Sequence, residues 1–145
     1  MKPEPIPTPT PNKNVSLRWT GHGMEYVGGA ENDEPIILDA KTGKGPGPMD
    51  ALLLAVAGCM AVDVQVILER SRVPVTGLEV AVEGERAQTH PKHFTRIHLT
   101  YLLAGPLDEH QAKVERAVDL SREKFCSVLH SLRSDIDFKV DIQRA

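Results

Sequence analysis

Cysteine is scarce in this chain: only Cys59 and Cys126 occur in 145 residues. Two thiols so far apart make neither the disulfide framework of a small secreted domain nor a paired zinc signature. Excess charge is also small, with a formal net charge of −3 at pH 7, which removes the general electrostatic reason to expect nucleic-acid binding. The N-terminal run Met1 to Pro11 sets prolines among polar residues and lacks the apolar core of a signal peptide, so a cytoplasmic protein is expected. The apolar run Ala51 to Val62 is followed by Asp63 and Gln65. It reads as too short for a bilayer core of about 30 Å, so no membrane segment is expected. The glycines from Gly43 to Gly47 precede a helix but lack the spacing and the Gly-Lys-Ser/Thr ending of a phosphate loop. No serine sits on a Gly-x-Ser-x-Gly elbow, which leaves Ser127 and Ser131 without an identified base. His90 and His93 have no third ligand nearby in sequence and read as a solvated turn. Neither a metal nor a cofactor is expected.

What is present is patterned. Residues 1–14 read as a disordered Pro-rich tail and residues 15–145 as a single domain. Val15, Leu17 and Trp19 alternate with polar residues, Gly21-His22-Gly23 allows a turn, and Met24 and Tyr26 return on the same pattern. Residues 35–39 form a third strand candidate, and the Gly/Pro segment 41–48 is irregular. A long helix is expected over about residues 48–72, buried on most sides, with Pro48 near its start and Pro74 after its end. Leu78, Val80 and Val82, then Ile97, Leu99, Tyr101 and Leu103, give two strands with one apolar face each. Val114, Ala117, Val118, Ser121 and Phe125 follow helical spacing, and Ile136, Phe138, Val140 and Ile142 close the chain as a half-buried strand.

Both cysteines occupy positions where a helix controls their chemistry. Cys59 lies within the apolar helix as a core position, and Cys126 stands at the head of the run Cys126 to Leu132, where a short helix is expected. Free N–H groups and the positive end of a helix dipole at Cys126 would favour the thiolate. The competing reading is that each thiol merely fills space, since free cysteine is among the most buried residue types. The carboxylate of Asp63, one turn after Cys59, would raise a neighbouring thiol's pKa unless a cation offsets it.

The string from Pro48 to Cys59, PMDALLLAVAGC, followed much later by Ala117 to Val128, AVDLSREKFCSV, resembles the OsmC/Ohr family of bacterial stress-response thiol peroxidases. The resemblance covers about residues 15–142 and looks closest to the YhfA-type OsmC-like branch, on Gly58-Cys59, Ala61 to Val64 and Lys124 to Val128. It implies an α+β fold built as an intertwined homodimer. N-terminal antiparallel strands, a long buried central helix, and a second sheet with an amphipathic helix and a C-terminal strand would make up each chain, with active sites at the subunit interface.

By the same resemblance, Cys59 would attack the O–O bond of an organic or lipid hydroperoxide and Cys126 would condense with the resulting sulfenic acid. An external dithiol of lipoyl or thioredoxin type would then reduce the disulfide, in oxidative stress defence. Family members pair an arginine near the thiolate with a glutamate about ten residues before the first cysteine. Here Met49 takes the glutamate's place, with Asp50 one residue later, and Arg18 is the candidate cation ahead of Lys41 and Lys44. The alternative on the same fold is a non-catalytic dimeric protein that binds a small molecule or senses redox state.

Overall fold

The computed structural model describes residues 12–145. The expected tail lies largely outside the described residues, and only its last members, 12–14, are seen, exposed and without regular structure. The chain divides into two compact units, residues 1–49 and 50–145.

The first unit is a three-stranded antiparallel sheet of β1 (Val15–Trp19), β2 (Glu25–Ala30) and β3 (Ile36–Asp39), in that spatial order. The expected Gly21-His22-Gly23 turn joins β1 to β2, and both glycines have positive φ, 93° and 47°, where a side chain would strain the backbone. The apolar members of β1 are open to solvent in the single chain: Val15 is 79%, Leu17 56% and Trp19 54% exposed. Asp39 ends the sheet and organises the irregular segment after it. Its carboxylate accepts the backbone N–H groups of Lys41 and Thr42, each at 2.9 Å, the Lys44 N–H at 3.4 Å, and the Thr42 hydroxyl. The Thr42 hydroxyl and these N–H groups hold the Asp39 carboxyl well below the usual carboxylate range.

The second unit is built around helix α1 (Pro48–Arg70), which crosses the unit boundary at its first turn. Strands β4 (Gly77–Arg86) and β5 (Phe94–Ala104) pair antiparallel, and β6 (Asp137–Arg144) joins the other edge of β5 in parallel. A parallel partner needs a crossover. The chain supplies it with a 3-10 turn (Asp108–His110), α2 (Gln111–Leu120), a π-turn (Ser121–Phe125) and the four-residue α3 (Ser127–His130). The core of this unit joins Val56, Met60, Val64 and Leu68 of α1 to Leu99, Tyr101 and Leu103 of β5 and to Val114, Ala117 and Val118 of α2. Each such fully buried aliphatic side chain contributes about 1.5–3 kcal/mol relative to exposure.

Three sequence expectations change here. Helix α1 is buried along one face only. Leu54 at 60% and Val62 at 58% exposure lie on the other side, because this unit supplies one sheet and one longer amphipathic helix to cover a helix that is apolar all round. The same helix runs without a break through Asp63 and Gln65 to 23 residues, about 35 Å at 1.5 Å per residue. Its most apolar window has a mean hydropathy of 2.3, so length and composition allow it to cross a membrane, contrary to the expectation of a run too short to do so. In the fold it acts as a core helix. Phe125, expected on the buried face of the amphipathic helix, is 46% exposed, because the π-turn rotates the chain out of the α2 register before reaching it.

Candidate active site

Cys59 and Asp63 are four residues apart on α1 and so share one face of the helix. The π-turn brings the second cysteine to that face. In an α-helix, residues five apart point about 140° away from each other. Here Cys126 N–H bonds to the Ser121 carbonyl at 2.8 Å, an i to i+5 closure that widens the turn and sets Ser121 and Cys126 towards the same side. Such single π-turns within helices recur at functional sites. Cys126 then caps α3, its sulfur accepting the Leu129 N–H at 3.3 Å.

The two sulfurs and an Asp63 carboxylate oxygen lie within 4.8 Å of one another. Around them is a short polar chain. Ser121 Oγ donates to Asp63 Oδ2 at 2.8 Å, the Tyr101 hydroxyl lies beside Ser121, and that hydroxyl donates to the Met60 carbonyl at 2.9 Å. Tyr101, Ser121 and Cys126 are fully buried, while Cys59 and Asp63 are partly exposed. The spacing of the two thiols and the carboxylate is one a metal could bridge. A structural tetrahedral centre takes four protein donors, however, and among the described residues this cluster gathers three. The cluster reads as a thiol pair with a carboxylate beside it.

Its electrostatics run against an easily formed thiolate at Cys126. Burial pushes that thiol up to about 11; the Leu129 N–H opposes this, and Cys59 and Asp63 reinforce it. The expectation that the head of a helix would favour the thiolate there is therefore overturned. Helix α3 has only four residues, and one N–H contact does not offset desolvation. Burial also raises the Tyr101 phenol. None of the leading influences on either group is a cation.

The other expected site residues stand elsewhere. Cys59 is partly exposed at the margin of the core, where the sequence placed it inside. Asp50, in the first turn of α1, is nine residues from Cys59, about 13 Å along the axis and half a rotation around it. Asp50 lines a cleft of about 280 Å³ with Leu53, Leu54, Ala57, Val80 and Val82. Arg18 is exposed in the middle of β1, paired with Val27, and Lys41 and Lys44 are exposed in the segment after Asp39. Lys44 forms an ion pair with Glu25 at 3.4 Å. His90 is exposed, and His93 Nδ1 is turned to the Pro91 carbonyl at 3.0 Å.

Sequence reasoning missed two members of the cluster. Ser121 read as part of an amphipathic stripe and Tyr101 as a core strand residue. The available signal was Ser121 standing five residues before a cysteine, but only the π-turn gives that spacing its meaning.

The chain matches the family model "OsmC-like protein" over residues 41–141. It is 38% identical to protein YhfA of Escherichia coli K12 over 122 residues, covering 83% of this chain and 90% of YhfA. A hypothetical protein of Aquifex aeolicus superposes with a TM-score of 0.82 at 27% identity, over 94% of this chain and 98% of that one. An organic hydroperoxide resistance protein OsmC of Legionella pneumophila shares the fold, with a TM-score of 0.68 at 14% identity over 94% and 99% of the two chains. With a family match over most of the sequence, an α+β architecture in common and a relative of this identity and coverage, the chain belongs to the OsmC-like protein family.

Proposed function

We propose that the protein is a thiol peroxidase that reduces organic or lipid hydroperoxides in oxidative stress defence, acting in the cytoplasm. Cys59 attacks the O–O bond, leaving a sulfenic acid and an alcohol. Cys126 condenses with the sulfenic acid to a disulfide, and an external dithiol of lipoyl or thioredoxin type restores both thiols. The observation that carries this reading is the approach of the two sulfurs to within 4.8 Å. A disulfide needs about 2.05 Å, and rotation of the two side chains with a small backbone adjustment covers the difference. The more accessible thiol is the one assigned to meet substrate. The buried one stands beside it, placed to condense with the sulfenic acid before that group is oxidised further.

The working unit is a homodimer. In the single chain, Leu54, Val62 and Val66 leave an apolar stripe along α1, at 60%, 58% and 37% exposure, and an apolar surface of this kind marks an interface. Arg18, reaching in from a second copy with Asp50 as a weaker orienting partner, supplies the positive charge at Cys59; Lys41 and Lys44 are the next candidates.

The test is single-turnover oxidation with cumene hydroperoxide. The expected result is one intramolecular Cys59–Cys126 disulfide per chain, with Cys126→Ser stopping at a Cys59 sulfenic acid and Arg18→Ala slowing the first step. Both thiols unmodified after excess hydroperoxide would refute the peroxidase reading. A second reading, a redox sensor or small-molecule binder that turns over poorly, is favoured by the raised Cys126 thiol and the carboxylate at its side. It predicts a parent that reacts with hydroperoxide no faster than free cysteine.

A further inference from the structure

The resolving step as the cluster presents it has a proton problem. Cys126 is fully buried, and its attack on a Cys59 sulfenic acid requires the thiol to lose a proton and the departing hydroxide to gain one. The acceptor standing beside both sulfurs is Asp63. Its Oδ2 is pinned by Ser121 Oγ at 2.8 Å, which fixes the carboxylate and leaves Oδ1 free of any side-chain hydrogen bond among the described residues.

We propose that Asp63 is the general base and acid of disulfide closure, a role that rests on the peroxidase reading above. Asp63 takes the proton from Cys126 Sγ as that sulfur's electron pair attacks Cys59 Sγ. The S–O bond of the sulfenic acid breaks with its electron pair going to oxygen, and the protonated Asp63 returns the proton to form water. One sulfenic acid and one thiol thus become one disulfide and one water, with Asp63 regenerated. Ser121 is a positioning residue: its hydroxyl holds Asp63 beside the two sulfurs. The π-turn serves this step, since it sets the positioning hydroxyl and the resolving thiol on one side of the chain.

The titratable groups facing Asp63 are Cys59 from its own helix, Tyr101 from β5 and Cys126 from the head of α3. They give the proposal a test of opposite sign. If Asp63 acted only by its charge, its removal would free the Cys126 thiolate, because Asp63 is among the groups that oppose ionisation of that thiol. Closure would then accelerate. If Asp63 moves the proton, its removal slows closure.

Reduced full-length parent and Asp63→Asn are treated with one equivalent of cumene hydroperoxide, and in a parallel series with oxidised glutathione. The glutathione series places a mixed disulfide on Cys59 that Cys126 must displace, so it needs the same deprotonation without a peroxide. Dimedone traps the sulfenic acid, and intact mass after alkylation reports closure. The expected result is that Asp63→Asn still forms the Cys59 adduct but closes about 100-fold more slowly at pH 7, in the range of general acid-base contributions. Its rate should rise about tenfold per pH unit between about pH 6 and pH 8, while the parent's stays flat over that range. Closure in the variant as fast as or faster than in the parent overturns the proposal. A parent that gives no sulfenic acid but closes from the mixed disulfide, with Asp63→Asn slow, sinks the peroxidase reading and leaves the role of Asp63 standing. Should Asp63→Asn not fold, Asp63→Glu and Ser121→Ala decide. The first should keep the flat pH profile at reduced rate and the second should slow closure about threefold; closure at the parent rate in both overturns the proposal.

Discussion

The acid strength of Cys126 can be measured apart from any peroxide chemistry. Burial sets that thiol at about 11, against about 8.5 for an unperturbed cysteine. At pH 7.5 the thiolate fraction is then about 3 × 10⁻⁴ rather than about 0.1, roughly 300-fold less. Only the thiolate is alkylated. Iodoacetamide labelling of the reduced protein at pH 7.5, read by peptide mass spectrometry, should find Cys126 at least about 300-fold slower than a cysteine in an unfolded peptide. Full burial of the side chain adds to that factor.

The pH profile separates acid strength from access. If restricted access were the whole cause, the rate would level off about one unit above 8.5. If desolvation is the cause, the rate keeps rising tenfold per unit to about pH 11. Removing the Cys59 thiol, which raises Cys126 by hydrogen bond and charge, should move the plateau of Cys59→Ser to lower pH. Labelling of Cys126 in the parent at pH 7.5 within tenfold of the free-peptide rate would refute the reasoning. The closure mechanism would then need no base.

Three further outcomes follow from other parts of the structure. Tyr101→Phe removes a buried hydrogen bond of 2.9 Å to the Met60 carbonyl. It should cost about 1 kcal/mol, seen as a Tm lowered by about 3–5 °C, and an unchanged Tm would show the hydroxyl to be structurally idle. Asp39 has a folded-state pKa below its unfolded value, so its contribution is present above about pH 4 and lost as pH falls. Urea denaturation at pH 6 and pH 3 should show a smaller acid loss in Asp39→Asn than in the parent, and equal losses would contradict the four-donor arrangement. Gly58 lies on the open face of α1, where an added Cβ meets nothing within 4 Å in the single chain. Leucine there should stabilise an isolated chain through helix propensity by about 0.8 kcal/mol but weaken a dimer that packs on that face. Light scattering and melting of Gly58→Leu showing a higher Tm and unchanged mass would leave the face without a partner.

The order of elements was legible because each carries its own period. The alternation of Ile97, Leu99, Tyr101 and Leu103 appears in β5 as four fully or nearly fully buried side chains between less buried ones. The Gly/Pro segment and Pro48 located the start of α1 through backbone chemistry alone. Periodicity cannot say how many sides of an apolar helix its own chain will cover. The expectation of a helix buried on most sides therefore failed at Leu54 and Val62, where coverage depends on what else packs there. Nor does a helical period carry through a change of turn. The step from α2 into the π-turn exposes Phe125, which the α period had placed inside, and turns Cys126 towards α1.

The site was half legible for the same reason. The four-residue spacing of Cys59 and Asp63 on one helix is a local fact, and it made the carboxylate visible from sequence as a difficulty for the thiol. That Asp63 also faces Cys126, 63 positions later, depends on the parallel crossover that carries α2 and the π-turn back over α1. Local rules alone made the head of a helix favourable to a thiolate at Cys126. The burial imposed by that crossover reverses the sign, since a single N–H contact at 3.3 Å cannot replace the water removed from a fully buried sulfur. A carboxylate that is only a hindrance to one thiol becomes an asset once a second, protonated thiol stands against it. The closure experiment on Asp63→Asn puts that inference at risk.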